Sequence, residues 1–81
     1  MSIHETSFIA AVPRKTYTVE QHVIFTSAST GTRYSQARDV VLKGTHAGGA
    51  LQAVRDSITR FAERMGMTVE FGDYDVAELA A

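Results

Sequence analysis

Between Gly44 and Phe71 the chain carries, in order, a glycine-loosened turn, one amphipathic segment, a glycine stop and an alternating segment. Leu51, Val54, Ile58, Phe61, Ala62 and Met65 recur at spacings of three and four. Gln52, Arg55, Asp56, Thr59, Arg60, Glu63 and Arg64 fill the other positions. This spacing predicts a one-sided helix over about residues 46–65. Thr45 is placed to cap its start, and Gly66 supplies the left-handed residue that ends it. Met67, Val69 and Phe71 then alternate with Thr68 and Glu70, the period of a half-buried strand running back along the helix.

The same period appears upstream. Tyr17, Val19, Gln21, Val23 and Phe25 share one face of a predicted strand, while Thr16, Thr18, Glu20, His22, Ile24 and Thr26 share the other. The small polar run Ser27 to Thr32, with Gly31, reads as a hairpin loop into a second strand over 33–43. There Val40 and Leu42 fit the inner face, Ala37 and Val41 fall out of step, and a bulge is expected near Arg38 and Asp39. Phe8 to Val12 is read as a further strand turning at Pro13 and Arg14, the alternative being an arm across a sheet edge, with a flexible arm over residues 1–7. Asp75 followed by Glu78 resembles a capping pair for a short terminal helix containing Val76 and Leu79, the alternative being a frayed end over 76–81. The expected fold is one α+β domain spanning 1–81, an antiparallel meander of three to four strands with one helix packed on one face, in the order βββαβ.

Composition narrows the function classes. The chain has 81 residues, 44% of them hydrophobic, and no cysteine, so neither disulfides nor thiolate-metal clusters assist its small core. A homodimer through an edge strand or the N-terminal arm is therefore expected. Absence of cysteine and of a basic-then-apolar leader in Met1 to Val12 predicts a cytoplasmic protein. No apolar run reaches the length of a membrane span. The formal net charge of −1 argues against a dedicated electrostatic nucleic-acid binder. Residues 63–81 nevertheless concentrate Glu63, Glu70, Asp73, Asp75 and Glu78 against a single basic residue, Arg64.

No constellation for catalysis stands out. The loop Gly44 to Gly49 lies between a strand and a helix, where backbone amides can hold a phosphate, with Lys43, His46, Gly48 and Gly49 as candidate anion-binding residues. However, Ala50 and Leu51 stand where a phosphate loop requires lysine and a hydroxyl. His4, His22 and His46 follow no zinc spacing, and no metal or other cofactor is expected. An enzyme would have to work through His22 or His46, for which no activated partner is evident. Catalytic residues are accordingly assigned to none.

The leading expectation is a non-catalytic interaction module, an inhibitor or adaptor that occupies the surface of a protein or nucleoprotein complex. Its candidate contact residues are Arg55, Thr59, Arg60 and Arg64 on the outer helix face, and Glu70, Asp73, Tyr74 and Asp75 at the acidic end. The meander followed by helix and strand resembles the layout of small antitoxin-type domains and of compact virus-encoded inhibitors of bacterial defence complexes. That resemblance is one of plan and carries no functional residue across. The alternative is a small nucleic-acid-binding domain using the basic residues of the helix and loops, with Tyr17, Tyr34 and Tyr74 as stacking platforms.

Overall fold

The computed structural model describes residues 13–80. The strand expected at Phe8 to Val12 and the arm over 1–7 lie outside the described residues. The remainder is α+β: strand β1 (Lys15–Ser27), strand β2 (Arg33–Gly44), helix α1 (Ala47–Arg64) and strand β3 (Met67–Glu78). The three strands form one antiparallel sheet in the order β2-β1-β3, with α1 on one face. Among the described residues no helix is long and apolar enough to cross a membrane.

The odd residues of β1 make the floor of the core. Tyr17, Val19, Gln21, Val23 and Phe25 are all buried, and Ala50, Val54, Ile58 and Ala62 of α1 come down onto them. Leu42, Leu51, Phe61, Met67, Val69, Phe71 and Val76 close the margins, and the Phe25 and Phe61 rings meet edge-to-face with centroids 5.9 Å apart. Met65 departs from the helical expectation. It caps the C-terminus instead of extending the apolar stripe, and is 61% exposed.

The hairpin closes as its composition implies. Ser27 N–H donates to Thr32 O at 2.8 Å, Gly31 N–H donates to Ser27 O at 2.8 Å, and Gly31 takes a φ of 73°. At the other end of the sheet, Leu79 N–H reaches Thr16 O at 2.9 Å.

Three local expectations are corrected. The helix is capped by His46, not Thr45: the His46 ring accepts from Gly49 N–H at 2.9 Å through Nδ1. The β1–β2 ladder runs without a shift past Arg38 and Asp39, and the bulge lies between β1 and β3 instead. There His22 of β1 faces both Gly72 and Asp73, because Gln21 pairs Tyr74 and Val23 pairs Phe71. No terminal helix starts at Asp75, since β3 continues through Glu78 with Asp75 opposite Glu20 and Val76 opposite Val19. Pairing with the long β1 outweighs the local capping signal, because each added β3 residue gains ladder bonds and places Val76 against the core.

Gly66 joins α1 to β3 with φ at 68°, and its carbonyl accepts from Ala28 N–H at 3.0 Å. A Cβ there would meet nothing within 4 Å, so the cost of a side chain is that of the left-handed backbone alone. Gly66→Ala should lower the unfolding free energy by about 1 kcal/mol in urea titration. An unchanged midpoint would show that the helix stop does not depend on this conformation.

Candidate interaction surface

Gln21 is the one polar side chain at the centre of the core, with no exposed surface. Its amide nitrogen lies 2.8 Å from His22 O, 3.1 Å from Gly72 O and 3.3 Å from Asp73 O, while its oxygen accepts from Arg55 Nε at 2.9 Å. This orientation is set by its neighbours: the carbonyls need a donor, and a guanidinium has only donors to offer. The bulge turns the Gly72 and Asp73 carbonyls toward the amide, so side chain and bulge satisfy each other.

Arg55 is consequently not an outward contact residue. It reaches under the helix to Gln21, and its guanidinium carbon lies 5.2 Å from the Phe71 centroid and 5.1 Å from that of Tyr74. These stackings add about 0.5–2 kcal/mol each depending on exposure. Thr59 is also partly withdrawn, its hydroxyl donating to Arg55 O at 2.9 Å. Arg60 and Arg64 do point outward, and among the described residues neither makes an ion pair. Asp56, one turn before Arg60, accepts from Gln52 Nε2 at 2.8 Å.

The remaining sequence candidates do not come together as one site. Lys43 lies on the sheet face opposite α1, because it pairs with Thr16 and not with a core residue. It is thus separated from the helix start, where Gly49 N–H is already taken by His46 and the imidazole packs over Gly48 and Gly49. The candidate anion site is filled by the protein's own cap. Of the acidic end, Glu70 lies 3.5 Å from Arg33 Nη2, Tyr74 is 57% exposed beneath Arg55, and Asp73 sits in the bulge.

Two surfaces emerge that sequence spacing did not single out. Because α1 leans toward β3, it leaves β2 half covered, and an open groove of about 320 Å³ runs between α1 and β2. Val40, Leu42, Ile58 and Phe61 supply its apolar lining, and Arg38 and Arg64 lie along it. The Arg38 guanidinium lies 5.0 Å from the Phe61 centroid and 5.5 Å from that of Phe25, and its Nε donates to Gln36 at 3.1 Å. On the opposite face, register aligns Asp39, Glu20 and Asp75 across the three strands beside Val41, and His22 Nε2 lies 3.7 Å from Glu20. Among the described residues no group of His, Asp or Glu is arranged to hold a metal ion.

No protein-family model, curated protein or solved structure gives a significant match to this chain. The geometry of the two faces therefore carries the functional reading.

Replacing Gln21 with leucine should cost about 2–4 kcal/mol, since it strands the Arg55 head and the bulge carbonyls in a buried place. Chemical denaturation measures this directly. A loss under about 0.5 kcal/mol would mean that water or relaxation of the bulge satisfies these groups equally well.

Proposed function

We propose that this protein is a non-catalytic interaction module, an inhibitor or adaptor that acts by occupying the surface of a macromolecular partner. The observation that carries this reading is the groove between α1 and β2, where aliphatic and aromatic surface lies beside two arginines. Apolar lining flanked by cations suits a protein segment that inserts a hydrophobic side chain and brings a carboxylate with it. Arg38 suits that role because its stacking on Phe25 and Phe61 fixes its plane, reducing the side-chain entropy lost on binding. Arg60 and Arg64 extend the basic rim along the outer helix surface. Absence of cysteine supports a reducing, cytoplasmic setting.

Direct nucleic-acid binding is the second reading, and it draws on the same cations. It is weakened by the aliphatic floor between them and by the carboxylate row on the other face. Its stacking platform is also dispersed: Tyr17 is buried, Tyr74 has Arg55 against its ring, and the exposed Tyr34 and Tyr74 lie on the two outer strands with β1 between them.

The test begins with recovery of the tagged chain and its bound partner from the native host, followed by calorimetry with the purified partner. Ala53→Arg, which fills the groove from an exposed helix position, should weaken binding at least about tenfold, as should the double variant Arg60→Glu, Arg64→Glu. Affinities unchanged by both would remove this surface from the reading. Binding to DNA or RNA that falls steeply with salt would favour the nucleic-acid reading instead.

A further inference from the structure

The outer edge of β2 combines unpaired backbone with exposed aliphatic side chains. The bond from Ser27 N–H to Thr32 O sets the alternation of the hairpin ladder, and the β1–β2 register continues unbroken from Thr26 opposite Arg33 to Lys15 opposite Gly44. Even-numbered β2 residues therefore bond β1. Asp39, Val41 and Lys43 turn their N–H and C=O groups away from the sheet, unpaired among the described residues. Val41 is 65% exposed at this edge, and Val40 is exposed beside it.

We propose that β2 pairs antiparallel with β2 of a second copy about a two-fold axis at Val41, giving a continuous six-stranded sheet with both helices on the same side. Only same-face residues are opposed in such a pair, so the axis passes through a residue and not between two. A centre at Arg38 or Asp39 would set like charges against each other. A centre at Val40 would leave Asp39 facing Val41 of the second copy. The Val41 centre alone opposes Asp39 to Lys43 in both directions, while Val40 meets Leu42 on the helix face and Val41 meets its own counterpart on the other. The outward backbone groups of all three odd residues are then bonded.

The other edge excludes itself. β3 carries Glu70, Asp73, Asp75 and Glu78 and no basic residue, so self-pairing would bring carboxylates together, and its bulge interrupts the ladder. Pairing through β2 leaves Phe61 and Ala53 untouched and sets the two α1–β2 grooves side by side across the axis. The inference does not depend on the proposed function, since it rests on edge and charge pattern alone.

Light scattering or sedimentation of the full chain from micromolar to millimolar concentration should reveal a species of twice 8.8 kDa. Asp39→Lys and Lys43→Asp should each raise the dimer dissociation constant about tenfold, because every change acts at two equivalent pairs. The double variant should return it to near the wild-type value. Val41→Cys gives a complementary readout, because the chain has no cysteine: mild oxidation should cross-link it, whereas Gln52→Cys on the outer helix face should stay uncross-linked. A monomer throughout would overturn the proposal. So would a dimer indifferent to the two single charge changes, or one whose double variant is not restored.

Discussion

One hydrogen-bonded node holds the layers of this domain in register. Gln21 sits where an aliphatic residue would satisfy the strand's alternation, yet it joins the helix through Arg55 and the β3 bulge through the Gly72 and Asp73 carbonyls. A buried amide of this kind is tolerated only when its partners are all present. Among the described residues no buried side-chain polar atom is left without one. Sliding α1 along the sheet, or moving the bulge by one residue, would break several bonds at once. The node therefore specifies the arrangement more sharply than the aliphatic contacts around it, which a small shift would leave largely intact.

The tilt of the helix follows from the same node. Arg55 draws α1 toward β3, where its guanidinium is enclosed by Phe71 and Tyr74, and this draws apolar cover away from β2. Val40 is then exposed and Phe61 only partly buried, and Arg38 lies over the Phe25–Phe61 pair as a lid of intermediate exposure. The groove is thus the complement of the node, because one helix cannot cover three strands evenly while anchored on one side. A longer aliphatic residue at Ala53 would cover more of the β2 margin; alanine leaves it accessible.

How much of this was legible in the sequence depended on the range of the interactions. The periods of three to four over 51–62 and of two over 17–25 and 67–71 identify the helix and strands β1 and β3, since each reflects burial against a single neighbour, while β2 is marked by the hairpin loop before it. Gly31 and Gly66 mark the turns because their conformations are local. The failures were non-local. Asp75 and Glu78 carry a helix-capping pattern, but β1 extends far enough to pair with them as a strand. The broken alternation of β2 predicts a bulge there, yet an exposed edge strand can tolerate Val41 on its open face without changing register. The helical position of Arg55 predicts an outward side chain, whereas a long side chain can double back to a buried amide. Its partner, Gln21, was visible as a polar residue in an apolar row, and that was the available signal. Lys43 and the helix start are near in sequence, but only strand register shows that they leave opposite faces.

The two sheet faces also differ in what they allow to approach. A bare antiparallel face ordinarily invites a second sheet, but here Asp39, Glu20 and Asp75 form a row across it, and like charges on adjacent strands disfavour each other even in water. Stacking another copy on that face would desolvate all of them and oppose the rows, a cost far above the gain from burying Val41 and Ile24. The carboxylates thus keep this face hydrated, and β3 repels its own kind along its edge by the same means. What remains open is the β2 margin, where Asp39 lies at the end of the row with Lys43 four residues on along the same face. There the charges alternate in sign, the aliphatic residues cluster, and the backbone groups face outward. Charge patterning therefore directs association to one side of the molecule.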